Sequence, residues 1–126
     1  MEREKLMAHL YIFGTILFTV YGQMIIKWRI PLHGELPGEA IPKIIFLLKL
    51  FFDPFIVSGF AAAFLASLCW MAAMTVFELS YAYPFMGLTF VLVFLASVFL
   101  LGEQATGHKI IGLALIVLGI IVTSRG

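Results

Sequence analysis

Charge is scarce in this sequence. Only 12% of its 126 residues are Asp, Glu, Lys or Arg, where a soluble domain carries about 25%. None of them falls in residues 7–26, 55–77, 79–101 or 110–123. Cysteine is nearly missing: Cys69 stands alone in an apolar run, which excludes a disulfide within the chain and leaves a small core residue. The net charge of +1 leaves no broad basic face for nucleic acid. His9, His33 and His108 stand at no metal-ligand spacing, no glycine-rich phosphate loop follows a strand, and no Ser–His–Asp set can be assembled. An enzyme, a bound metal and a cofactor are therefore not expected. Nor is a cleavable leader, since "MEREKLMAHL" runs straight into a span-length segment without a small-residue cleavage site.

What fills the chain instead is apolar: 63% of residues are hydrophobic and the mean hydropathy is +1.10. One small core cannot hide that much apolar surface, so the expected class is an all-α integral membrane protein. A helix needs about 20 apolar residues to cross the hydrocarbon. The uncharged runs predict four transmembrane helices forming a single domain over 1–126, at residues 7–28, 55–77, 79–101 and 106–124. The last uncharged run is short, but Lys109 can snorkel and "ATGH" can extend it. Between the first two spans, "IPLHGELPGEA" reads as a loop. The segment after it is too short and too charged to span, and predicts a short interfacial helix over 43–52, with Lys43 and Lys49 reaching toward head groups. "FELS" alone joins the second and third spans, which predicts a tight antiparallel hairpin. Arg3, Lys5 and Arg125 lie on one side of the membrane, and Lys27, Arg29, Lys43, Lys49 and Lys109 on the other. Three against five slightly favours the loops in the cytoplasm, and so near-balanced a chain permits insertion both ways, and with it an antiparallel dimer.

Polar residues inside the spans carry the functional signal. Thr15, Thr19, Gln23 and Lys27 recur every four residues and make one winding stripe. Membrane threonines often bond back to their own helix. A glutamine amide cannot be satisfied by hydrocarbon, so Gln23 must meet another helix, water or a ligand. In "ELSYAYPFMGL", Pro84 removes a backbone bond to Ser80 and leaves that carbonyl open. Tyr81 and Tyr83 bring hydroxyls beside it, as site groups or as part of an interfacial aromatic belt. Glu103 follows the third span, in reach of Lys109 or of Lys27 and Arg29. The basic residues at that end have the right charge to hold an anionic lipid head group. Gly112 and Gly119 lie two turns apart on the fourth span and suit packing against a partner chain.

"GTILFTVYGQMIIK", "ELSYAYPFMGLTFVLVFLASVFLLGE" and "IIGLALIVLGIIV" together resemble the half-size, four-helix members of the drug/metabolite transporter superfamily. Two branches compete: the small multidrug resistance exporters, and the EamA-like small proteins that include the ArnE and ArnF flippase subunits. The exporters carry a membrane-embedded glutamate in their first helix, and along this chain it falls at Thr19. Gly22–Gln23, the "AYP" at 82–84 and Glu103 match the ArnE/ArnF pattern instead. Gly112 and Gly119 match the family's helix-four glycine pair. This resemblance implies a dimer, either of identical chains or with a related small membrane protein, in a bacterial-type inner membrane. It implies a flippase or flippase subunit that moves a polyprenyl-phosphate-linked sugar or another lipid. Gln23, Thr19, Tyr83, Tyr81, Trp70 and Glu103 would line the path, and Lys27 and Arg29 would meet the phosphate. The alternatives are a multidrug-type exporter of cationic or neutral small molecules, and a non-transporting partner of a membrane glycosyltransferase.

Overall fold

The computed structural model describes residues 2–126. The first helix, α1 (Glu2–Arg29), is 28 residues long and begins before the uncharged run does. At 1.5 Å per residue it measures about 42 Å, longer than the roughly 30 Å of hydrocarbon, so both ends emerge. Its ends suit the helix dipole, with Glu2 and Glu4 in the first turn and Lys27 and Arg29 in the last. A 3₁₀ turn (Ile30–His33) leads to α2 (Ala40–Lys49), the short helix, which a second 3₁₀ turn (Leu50–Phe52) closes. The short helix thus starts three residues earlier than 43, with Pro42 inside its first turn.

The second span is α3 (Pro54–Met74). Asp53 caps it, accepting the Phe55 N–H at 2.8 Å, and Pro54 occupies the first helical position, where no N–H is needed. Because α3 stops at Met74 and α4 starts at Leu79, the connection to the third span is residues 75–78, as short as "FELS" but set two residues earlier. The third span is not one continuous helix over 79–101. It is α4 (Leu79–Ala82), a 3₁₀ segment (Tyr83–Met86) and α5 (Gly87–Leu100). Pro84 supplies no N–H, and the backbone tightens around it. The fourth span is α6 (Gly107–Ser124), whose Thr106 hydroxyl accepts the Lys109 N–H at 3.2 Å. Among the described residues, four helical stretches are long and apolar enough to cross a membrane, so the protein is an all-α, multi-pass membrane protein.

The helices do not pack equally. α1 and α3 pair antiparallel along most of their length. Ala8, Ile12, Ile16 and Gly22 of α1 are buried on one side, and Ile56, Gly59, Ala62, Ala66 and Ala73 of α3 on the other. The closest approach is at Gly22 and Gly59: a Cβ on Gly22 would sit 2.9 Å from the Gly59 carbonyl oxygen. Small residues on both helices permit this backbone contact in lipid, where association relies on close packing. By contrast, α6 rests mainly on α5 and the 3₁₀ segment. Ile116 and Ile120 lie over Gly87, where an added Cβ would meet each at 3.0 Å.

The membrane-boundary ends of α1 and α3 are tied by charge. The Asp53 side chain, 1% exposed, accepts from Arg29 Nε at 2.9 Å and His33 Nε2 at 2.6 Å. An ionised carboxylate only accepts, so His33 carries its proton on Nε2. The His33 hydrogen bond, supported by the Phe55 N–H and by Arg29, outweighs burial and holds the Asp53 carboxyl down at about 2, from an ordinary 3.8.

Two outcomes follow from this packing. Gly22→Val forces the α1–α3 crossing apart and destabilises the protein by about 1–3 kcal/mol, read as a lower unfolding midpoint in detergent; an unchanged midpoint would contradict the crossing. Because the folded pKa of Asp53 is depressed, its stabilisation is complete above the ordinary carboxylate range and is lost as pH falls through about 2. Unfolding midpoints measured from pH 6 down to pH 2 should therefore fall more steeply for the wild type than for Asp53→Asn.

Candidate functional site

A cavity of about 490 Å³ opens between α1, α3 and the 3₁₀ segment. The four-residue stripe on α1 supplies Thr15, Thr19 and Gln23 to its wall. α3 adds Ser67 and Trp70, and the 3₁₀ segment adds Tyr83. Trp70 and Tyr83 meet edge to face, with ring centroids 5.8 Å apart. Tightening of the backbone at Pro84 sets Tyr83 where it faces α3.

The hydroxyls on this wall donate to backbone. Thr19 Oγ1 donates to the Thr15 carbonyl at 2.7 Å, and Ser67 Oγ donates to Ala63 at 3.1 Å. Thr15 Oγ1 donates to Tyr11 at 2.8 Å and also reaches the Ala66 carbonyl on α3 at 3.3 Å. These oxygens keep lone pairs to offer a ligand but have no proton left to give. Gln23, Trp70 and Tyr83 differ. Among the described residues, the Gln23 amide, the Trp70 Nε1–H and the Tyr83 hydroxyl have no hydrogen-bond partner, and all three side chains line the cavity. The wall thus sets neutral acceptors and neutral donors among apolar side chains and three aromatic rings, Phe60, Trp70 and Tyr83, and among the described residues no charged one lines it. It can hydrogen-bond a polyhydroxylated group and stack on its apolar face. It has no carboxylate with which to exchange a proton or pair a cation.

The other residues singled out from the sequence lie elsewhere. Tyr81 turns away from the cavity, and its hydroxyl lies 3.1 Å from His9 Nε2. His9 Nδ1 donates to the Lys5 carbonyl at 2.7 Å. Phe77 and Phe85 pack around this pair at the termini end of the bundle. Lys27 is exposed and outside the cavity wall. Arg29 is paired with Asp53 and lines a separate pocket. Glu103 is exposed in the loop after α5 and pairs with none of Lys27, Arg29 or Lys109 among the described residues; Lys109 Nζ donates to the Gln104 carbonyl at 3.3 Å instead. Gly112 and Gly119 have open space where a Cβ would stand, with nothing within 4 Å.

Asp53 and His33 were missed by the sequence reading. Asp53 had a usable signal, an Asp–Pro pair directly before an apolar run, which marks a helix start. His33 had none, because its partner lies 20 residues away across a loop.

Comparison with known proteins bears on this arrangement. No family model matches the chain, and no solved structure matches it. Among curated proteins it is 31% identical to the "Probable 4-amino-4-deoxy-L-arabinose-phosphoundecaprenol flippase subunit ArnF" of Erwinia tasmaniensis, over 92% of this chain and 93% of that one. The protein of the same name from Aeromonas salmonicida is 29% identical, over 96% of this chain and 81% of its own length. An uncharacterized protein of Sinorhizobium fredii is 32% identical over 91% of this chain and 92% of its own. With this identity over nearly the full length of both chains, the chain belongs to the ArnF flippase-subunit family of small membrane proteins.

Proposed function

We propose that this protein is a flippase subunit that moves a polyprenyl-phosphate-linked sugar across a bacterial inner membrane, with the sugar passing through the cavity between α1 and α3. One observation carries this reading: an open-sided cavity on the flank of the α1–α3 pair, within the membrane-spanning region, whose largely apolar wall carries neutral polar groups and, among the described residues, no charge. Polar groups at membrane depth are costly unless they meet protein, water or a ligand. Free donors at Gln23, Trp70 and Tyr83, beside the acceptor hydroxyls of Thr15, Thr19 and Ser67, suit the hydroxyls of a sugar. The names of the relatives point the same way, toward a sugar carried on phosphoundecaprenol. Where that sugar bears an amine, the Trp70 and Tyr83 faces and the Gln23 carbonyl can receive it without a carboxylate.

The lipid tail stays in the bilayer while the head group crosses. Such a passage needs a second wall. The exposed face of α6, with Gly112 and Gly119 open, suits a second subunit, either another copy or a related small membrane protein. Export of cationic drugs is disfavoured by the same cavity. At Thr19, where the exporters carry their glutamate, the hydroxyl is tied to its own helix.

The test is head-group translocation in proteoliposomes, with any required partner subunit co-reconstituted. Gln23→Leu removes neutral hydrogen bonds worth about 0.5–1.5 kcal/mol each. It should slow translocation of a polyprenyl-phosphate sugar about tenfold while leaving expression and the unfolding midpoint intact. Full activity in Gln23→Leu would rule out this path. Cells expressing the wild type should gain no resistance to quaternary ammonium compounds, and a clear gain would favour the exporter.

A further inference from the structure

At the membrane boundary opposite the termini, a second pocket of about 600 Å³ lies outside the sugar cavity. Arg29, His33, Lys49, Phe52, Asp53 and Pro54 line it. Its floor is the buried Asp53 carboxylate, whose oxygens are already taken: Oδ2 by Arg29 and His33, and Oδ1 by the Phe55 N–H. Asp53 therefore does not confront an incoming anion with an open acceptor face. It serves instead to aim Arg29.

Arg29 spends only Nε on Asp53. The guanidinium carbon stands 4.6 Å from the Phe55 ring centroid and 5.1 Å from that of Trp28. An ion pair on one edge and two aromatic contacts thus fix the fork, while both Nη groups have no partner among the described residues. A guanidinium held this way has already lost most of its side-chain freedom and keeps the donors that match phosphate oxygens. The Lys49 ammonium also has no partner among the described residues, and it borders the same pocket. Arg29 and Lys49 together outnumber Asp53, so the pocket is net positive whatever charge His33 carries.

Its rim is apolar. Phe52 is 88% exposed, and the Phe51 ring beside it is half exposed. Phe51 stacks on Phe60 with centroids 4.7 Å apart, and Phe60 lines the sugar cavity. An aromatic edge thus runs from Phe52 at the pocket, through Phe51, to Phe60 at the cavity. Along α1, Gln23 precedes Arg29 by six residues, a rise of about 9 Å. A ligand that fills the pocket should join an anionic group with several oxygens to an apolar chain at the membrane surface.

We propose that the Arg29–His33–Lys49 pocket binds the phosphate of a polyprenyl phosphate, with its chain lying over Phe51 and Phe52, so that an attached sugar is delivered to the mouth of the cavity. The sugar-delivery part rests on the flippase reading; phosphate binding does not.

The experiment is equilibrium binding of radiolabelled undecaprenyl phosphate, which bears no sugar, to the purified full chain in detergent. Saturable binding is expected, weakened about tenfold by Lys49→Gln, which removes a charge-assisted contact. Lys109→Gln, a charge change of the same kind on an exposed residue outside the pocket, should leave it unchanged. Unlabelled undecaprenol and phosphatidylglycerol should compete poorly. Equal loss in the two lysine variants, or no loss in Lys49→Gln, would overturn the proposal. So would competition by undecaprenol as strong as that by undecaprenyl phosphate. Inorganic phosphate binding as tightly as the lipid would assign the pocket to free phosphate, and phosphatidylglycerol competing as well would assign it to bulk anionic lipid; either overturns the polyprenyl assignment. Binding as expected, combined with failure of sugar translocation in the separate assay, would leave the pocket standing and remove only the flippase reading.

Discussion

Everything in this bundle is arranged around the contact between the Gly22 and Gly59 backbones. In lipid the hydrophobic effect offers helices no reason to associate, so contact must come from close packing. Two glycines facing each other bring α1 and α3 near enough for their small residues to interlock along the pair. That crossing lets the Thr15 hydroxyl reach a carbonyl on the neighbouring helix. It sets the Thr19 and Gln23 positions opposite Ser67 and Trp70, so one wall of the cavity faces the other. It also brings the last turn of α1 to the cap of α3, where Asp53 joins them.

The chemistry is divided along the axis of α1. Within the membrane the polar groups of α1 are neutral, and Thr15 and Thr19 return their protons to their own helix. At the boundary, where water lowers the cost of charge, the chain places its ion pairs, and among the described residues both share Asp53. Burial disfavours the ionised carboxylate, but three donors more than offset that effect. A head group made of sugar and phosphate has the same division, with neutral hydroxyls at one end and an anion at the other.

Much of this was legible in the sequence, and what was not had definite physical reasons. The uncharged runs marked the spans, because hydrocarbon tolerates few other sequences of that length. The four-residue stripe led to Thr15, Thr19 and Gln23. It failed at Lys27 because each step of four residues turns about 40°, and three steps carry the stripe onto another face. Tyr81 and Tyr83 were grouped, yet residues two apart on a helix point in nearly opposite directions, so only Tyr83 reaches the cavity. Pro84 was recognised as a lost hydrogen bond, but the length of 3₁₀ structure around it depends on packing and is not encoded locally. The role of Arg29 depends on a carboxylate 24 residues away, and no periodicity carries that information.

The weak seating of α6 makes the molecule thermodynamically lopsided. α1 and α3 are joined by backbone contact, small-residue packing and a buried ion pair, whereas α6 leans chiefly on two isoleucines above Gly87. Opening free energies within one protein range from near zero to the global value, set by how well each element is buried. Amide exchange in the isolated chain would accordingly run fastest in α6, slower through α5 and slowest in the α1–α3 pair. A subunit docking on α6 would then do more than cover it, because it would hold in place the least well seated of the four spans and pay for that order out of its own binding energy.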